Sequence, residues 1–258
     1  MTRYSDHHGP EGLLVRGTIL VVPGRGETPA TYTRFGRRLA ADAYRVRVID
    51  APDPAADDPA ASLTALAARL AAAAEGTAPE DGAARPVVLV GADSGAAALA
   101  ALFGRAGAPA AWRPDALVLA GLPGPSTGSG ASADTWDHEL DVRTSCPAHR
   151  GVLAQDPHVR RGSLGEPVPE HVLDAAYAGE VPLPTLLLAG ESDPLADHEA
   201  LARVAKSLPQ ARLSVVRGAH HDVLNDLQHR SVAAEVVTFL ETLRADLRPL
   251  ISVRSSAW

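Results

Sequence analysis

The stretch Val87-Val88-Leu89-Val90-Gly91-Ala92-Asp93-Ser94-Gly95-Ala96-Ala97 decides the fold. A short apolar run enters a tip bracketed by two glycines and opens into an alanine-rich helix. A turn of this kind crowds its own backbone, so the residues two before and two after its tip must be small. Gly91 and Gly95 meet that condition around Asp93, giving the pattern G-x-D-x-G. A shift by one residue puts Ser94 at the tip but leaves Ala96 on the helix side, where close strand–helix packing favours glycine. Elbow sterics therefore favour Asp93 over Ser94. A plainer reading stays open beside it: Asp is a good helix N-cap, and a strand–turn–helix needs no chemistry to explain it.

Outward from this turn lie five more apolar runs: Thr18–Val22, Arg45–Ile49, Ala116–Ala120, Thr185–Ala189 and Arg212–Val216. Each is short, rich in β-branched residues or leucine, and ends near Gly, Asp or Pro, as strands buried on both faces do. Between them the period changes to that of helices. Thr28-Pro29 reads as an N-cap and first turn for a helix over Ala30–Ala41. Leu63, Leu66 and Leu70 form one apolar stripe, and Val232, Val236, Phe239, Leu243 and Leu247 another. The segment Ala51–Ala61 reads as a solvated connection. Alternation of this kind predicts an α/β fold of six mostly parallel strands with helices on both faces.

The alternation breaks once, between Leu122 and Pro184. This stretch opens with the Gly/Ser/Pro-rich GLPGPSTGSGASAD and continues through short helices expected over Trp136–Arg150 and Glu170–Ala178. An insertion after the fourth strand sits above the carboxyl edge of the sheet, where α/β proteins bind ligands. Residues 122–184 are thus expected to form a helical cap on a core made of residues 1–121 and 185–258, with Trp136 and Tyr177 as candidate pocket walls.

Composition sets the outer bounds. A chain of 258 residues fits one domain with an insertion, and 46% hydrophobic with 21% charged residues excludes disordered and collagen-like classes. A net charge of -7 without a basic stripe argues against a nucleic-acid partner. The single cysteine, Cys146, rules out an internal disulfide and suggests a reducing compartment. Residues Met1–Gly12 are polar and unlike a signal peptide, and no apolar run reaches membrane-spanning length, so a cytoplasmic protein without a membrane span is expected. The one Cys-x-x-His pair, Cys146 with His149, is too little for a metal site. Neither metal nor cofactor is expected; the partner is a small-molecule substrate, and oligomeric state is not legible.

Two further loops carry chemistry-bearing residues. Gly190-Glu191-Ser192-Asp193-Pro194 follows the fifth run, and Gly218-Ala219-His220-His221-Asp222 follows the sixth. Nucleophile, acid and histidine then stand in that order at the ends of strands, the chain order of an α/β-hydrolase triad. Residues Pro23-Gly24-Arg25-Gly26-Glu27, with Tyr32 and Arg38-Leu39, resemble the oxyanion-strand segment of α/β-hydrolases of the monoacylglycerol lipase and lysophospholipase type. The segment from Gly218 to Asp226 resembles that group's histidine segment. The resemblance spans most of Gly17–Leu243 outside the insertion. It implies the α/β-hydrolase fold, His221 rather than His220 as catalytic histidine, and backbone N–H groups of Arg25 and Ser94 as an oxyanion hole. Two departures stand out: proline occupies position 23 in place of histidine, and aspartate occupies position 93 in place of serine.

An aspartate at the elbow changes the chemistry expected. A carboxylate is ionised at neutral pH and attacks sp³ carbon without a base, giving an alkyl-enzyme ester. His221, oriented by Asp193, would activate the water that hydrolyses it. The expected function is hydrolysis of a small, mainly apolar organic substrate through Asp93, Asp193 and His221. The alternatives are a carboxylic-ester hydrolase using Ser94, and a non-hydrolytic enzyme or binding protein on the same fold. Haloalkane dehalogenases carry tryptophan where this chain has Ser94, and epoxide hydrolases use two cap tyrosines where the insertion has Tyr177 alone. For the Arg25 side chain two readings stand, contact with an anionic substrate and, more ordinarily, a solvent-facing turn residue.

Overall fold

A computed structural model of the chain describes residues 4–50, 59–77, 82–104, 112–125, 135–178, 180–252, 254 and 256. Its strands are β1 (Tyr4–His7), β2 (Gly17–Val22), β3 (Tyr44–Ile49), β4 (Val87–Ala92), β5 (Ala116–Ala120), β6 (Thr185–Gly190) and β7 (Ala211–Val216). Its helices are α1 (Thr33–Ala41), α2 (Pro59–Glu75), α3 (Ser94–Phe103), α4 (Trp136–Arg143), α5 (Pro147–Gln155), α6 (Glu170–Tyr177), α7 (His198–Ser207) and α8 (His229–Leu243), with 3-10 turns at Pro29–Tyr32 and Ser163–Gly165.

The strands form one sheet in the order β1-β3-β2-β4-β5-β6-β7. β2 to β7 run parallel, and β1 joins β3 antiparallel at the edge. Six strands were expected and seven are found. Tyr-Ser-Asp-His has no apolar alternation to announce β1; it is held by pairing with β3 and by Asp6 on Arg47, Nε to Oδ1 2.6 Å. Period-2 alternation sorts each strand's side chains between two cores. Leu20, Val22, Leu89, Leu117 and Leu187 face one side, with α2, α3 and α7 residues. Ile19, Val21, Val88, Val90, Leu186 and Leu188 face the other, against Phe35 and Leu39 of α1 and Val232, Val236 and Phe239 of α8.

Several boundaries differ from expectation. The helix foreseen over Ala30–Ala41 is a 3-10 turn followed by α1, and the Thr28 hydroxyl donates to Asp156 Oδ2 (2.6 Å) in the insertion. The expected connection 51–61 is helical from Pro59; residues 51–58 lie outside those described. Leu247 lies beyond the end of α8. The helix expected over Trp136–Arg150 is two helices, because Pro147 cannot continue α4 and instead opens α5. Part of the Gly/Ser-rich stretch, residues 126–134, lies outside those described.

Candidate active site

Asp93 is the hinge between β4 and α3, with φ 47° and ψ -119°. This conformation costs a non-glycine residue about 1–3 kcal/mol, and such strain is held where the surroundings over-determine it. Asp93 N–H donates to Ala120 O (2.9 Å), and its carbonyl accepts from Ala97 N–H (3.1 Å). The flanking glycines are sterically required: a Cβ on Gly91 would lie 2.7 Å from the Ala96 Cα, and one on Gly95 would lie 2.5 Å from Val22 O. The plain N-cap reading fails, since the Asp93 side chain makes no capping bond to α3. Ser94, the first residue of α3, is off the tip and half-buried.

The carboxyl ends of β6 and β7 bring the other two residues to this tip. His221 Nδ1 lies 2.9 Å from Asp193 Oδ2, and Nε2 lies 3.2 Å from Asp93 Oδ1. The second approach lacks the alignment of a hydrogen bond. Asp193 is fixed by Leu195 N–H on Oδ1 (2.9 Å), and His221 N–H donates to Val142 O of α4 (3.3 Å). His220 turns away to Asp226, whose Oδ2 accepts its backbone N–H at 2.7 Å.

Arg25 overturns one expectation: its side chain is in the site, not in solvent. Nη2 donates to Asp93 Oδ1 (2.7 Å) and Nε to Oδ2 (2.8 Å), a bidentate pair with both side chains only 4% exposed. The backbone N–H of Arg25, expected to face an oxyanion, also donates to Asp93 Oδ2 (2.8 Å). Nη1 reaches Leu164 O (2.9 Å) and Glu166 O (2.5 Å) in the insertion. Beside Asp93 and His221 the remaining cavity is about 10 Å³. The site is closed by its own arginine.

The charges follow from this packing. Burial pushes the Asp93 carboxyl up, but Arg25 and His221 outweigh it and hold it well below the usual carboxylate range. Burial disfavours a charged His221, yet Asp193 and then Asp93 raise its pKa to about 10. Asp93 is thus an anion and His221 an imidazolium at neutral pH.

A second buried network abuts the first, and sequence reasoning missed it. Arg143 of α4 donates through Nη2 to Glu139 Oε1 (2.8 Å) and to Arg25 O (2.8 Å), pinning the turn that carries Arg25. Glu139 also accepts from Leu164 N–H (3.2 Å). The Glu139–Arg143 spacing of four was the available signal, but it commonly marks an exposed helix pair. Glu27 accepts from Gly24 N–H (2.9 Å) and from the Tyr32 hydroxyl, and burial followed by the charge of Asp222 lifts its pKa to about 7. Ligand atoms of Glu27, His149 and Asp222 lie within 4.8 Å of one another. His149 Nε2 is already 2.8 Å from Asp222 Oδ2, and the Arg143 guanidinium lies 3.5 Å from Oδ1. The cation that would balance these carboxylates is therefore Arg143, and the set does not fit a metal ion.

The remaining candidates scatter. Trp136 packs on Leu140, Leu153 and Val159 within the insertion, under the Arg161 guanidinium. Tyr177 packs against the core beneath α3, with its hydroxyl buried and without a hydrogen-bond partner. Neither borders the cavity at Asp93. Cys146 contacts Arg34 Nη1 (3.4 Å) and His149 contacts Asp222, so the Cys-x-x-His pair does not converge on a common point.

Residues 14–228 match the family Hydrolase_4, serine aminopeptidase S33. The chain belongs to this family of α/β-hydrolases. A search of curated proteins found no match. Among solved structures, this Hydrolase_4 member is similar to a soluble variant of monoglyceride lipase from Saccharomyces cerevisiae in complex with a substrate analogue. The TM-score is 0.73 at 15% identity, over 94% of this chain and 92% of that one. Monoacylglycerol lipase of Paleococcus ferrophilus matches at TM-score 0.68 and 16% identity, over 94% and 99%. Carboxylesterase CesB (YbfK) of Bacillus subtilis matches at 0.64 and 15%, over 93% and 87%. At these identities the likeness speaks for the fold; the family match makes the chain a hydrolase-type enzyme. The family description names a serine, where the tip here carries Asp93. No helix among the described residues is long and apolar enough to cross a membrane.

Proposed function

We propose that the chain hydrolyses a small organic substrate through an alkyl-enzyme ester on Asp93, with residues 122–184 as its cap. The observation that carries this reading is the placement of His221 between two buried carboxylates, Asp93 after β4 and Asp193 after β6. In the first step an Asp93 oxygen attacks an sp³ carbon, forming a C–O bond while halide or epoxide oxygen leaves with the bond pair. An alkoxide takes its proton from His221 Nε2; a halide leaves as the anion, and His221 then gives its proton to solvent water. Esterification removes the charge of Asp93, one of the causes holding the proton on His221. The neutral imidazole then takes a proton from water as hydroxide adds to the ester carbonyl. Collapse expels the alkoxide, which takes that proton back as the alcohol, and the Asp93 carboxyl proton passes to His221, restoring the carboxylate. The N–H groups of Arg25 and Ser94 stabilise the oxyanion of that second step.

Before the first attack Arg25 must leave Asp93, because its bidentate grip occupies both oxygens. Rotation of the Arg25 side chain, with release of Leu164 O and Glu166 O, frees the nucleophile and opens room beside it. A second reading, carboxylic-ester hydrolysis by Ser94, is supported by the serine in the family description. Turnover of an epoxide, haloalkane and activated-ester panel by single variants separates the two. Asp93→Ala should abolish turnover and Ser94→Ala should retain it; a dead Ser94→Ala with active Asp93→Ala would make Ser94 the nucleophile.

A further inference from the structure

Arg34, Arg37 and Arg38 project from the outer face of α1, opposite Phe35 and Leu39, and line a groove of about 540 Å³ against Ala148, His149 and Val152 of α5. Among the described residues no carboxylate lies within 4.0 Å of any of the three guanidiniums, nor of Arg230 on α8. Arg34 instead donates to Asn225 O and contacts the Cys146 thiol. Positions 34, 37 and 38 stand three and four apart, where like charges repel one another on a helix. The chain accepts this repulsion while carrying a net charge of -7 overall. Nearby His229 is held below its usual pKa by burial and then by Arg34, Arg38 and Arg230, with no carboxylate opposing them.

The groove also has a polar floor. Asn225 borders both this groove and the cavity at Asp93, with 2% of its surface exposed. Arg38 Nε is a buried donor without a partner. The volume is that of a small-molecule site, and guanidinium groups without a carboxylate partner on one wall match the oxygens of a phosphate.

We infer that this groove binds a phosphate group, carried on a small organic ester or on a lipid headgroup, at Arg34, Arg37 and Arg38. The site is separate from Asp93, His221 and Asp193 and stands independently of the proposed reaction.

The test is calorimetric titration of the whole protein with inorganic phosphate and with glycerol 1-phosphate, beside flotation with phosphatidylcholine vesicles with and without phosphatidic acid. Arg37→Gln and Arg38→Gln keep the aliphatic stem, and neither guanidinium has a carboxylate partner to lose. Saturable phosphate or glycerol phosphate binding, weakened about tenfold in each variant, supports a soluble ligand. Binding only to phosphatidic acid vesicles, lost in the same variants, supports the site with a lipid as its source. Unchanged binding in the double variant, equal binding of chloride at matched ionic strength, or no binding in any arm overturns the inference.

Discussion

Replacement of Arg25 by Gln separates two effects that the structure sets against each other. In the wild type, Nε and Nη2 of Arg25 hold both oxygens of Asp93 at 2.8 and 2.7 Å inside a site from which solvent is excluded. Breaking one partner from a buried ion pair costs about 3–5 kcal/mol of stability, because the other charge is stranded. His221 and the backbone N–H at position 25 remain beside Asp93, which places Arg25→Gln at the lower end, near about 3 kcal/mol. The same grip opposes reaction. Two charge-assisted hydrogen bonds, each worth about 1.5 kcal/mol at least, must be released before Asp93 attacks. A barrier about 3 kcal/mol lower corresponds to about 10²-fold faster ester formation. Urea denaturation gives the first quantity. The rate of mass increase with an excess of a small haloalkane, mapped to Asp93 and measured in the His221→Ala background so that the adduct persists, gives the second. A variant that is less stable yet alkylates faster fits a self-closed nucleophile. A variant that alkylates more slowly, or not at all while folded, would show that Arg25 assists the attack and would refute the reasoning.

Two other perturbations follow from the geometry. The folded pKa of His221, about 10, lies above its unfolded value of 6.5, so its contribution to stability is complete below pH 6.5 and is lost as pH rises through 10. The urea midpoint of the wild type should therefore decline between those limits, and His221→Gln should flatten the decline; an unchanged slope would mean that His221 does not hold its proton. Trp136→Ala should lower stability by about 2 kcal/mol while leaving substrate preference alone, since Trp136 packs on Leu140, Leu153 and Val159. A changed substrate ranking at unchanged stability would return Trp136 to the pocket wall.

The sheet was legible because its parallel strands are written as short apolar runs, and the elbow because Gly91 and Gly95 have no steric alternative. β1 was not, since an edge strand of Tyr-Ser-Asp-His is fixed by partners on β3 rather than by its own pattern. Asp93, Asp193 and His221 could be grouped from their chain order, which is that of an α/β-hydrolase triad. The inward turn of Arg25 could not be read this way, because its acceptors Leu164 O and Glu166 O lie more than a hundred residues away and are backbone atoms. The Glu139–Arg143 spacing of four was visible but commonly marks an exposed helix pair. The buried Glu27, Asp222 and His149 group was hidden because its members come from distant segments. Charged residues read as surface until their partners are known, and these partners come from distant segments.

The proposed covalent bond on Asp93, resolved by His221, is tested most directly by the intact mass of His221→Ala after exposure to a haloalkane, whose halide leaves without a proton from His221. Attack by a carboxylate already charged needs no histidine, whereas loss of the positioned base slows hydrolysis on the order of 10²–10⁴-fold. A His221→Ala protein should gain one alkyl group, mapped to Asp93, and release a single equivalent of halide from a haloalkane. His220→Ala should turn over without accumulating an adduct. An adduct on Ser94, or undiminished turnover by His221→Ala, would contradict the account.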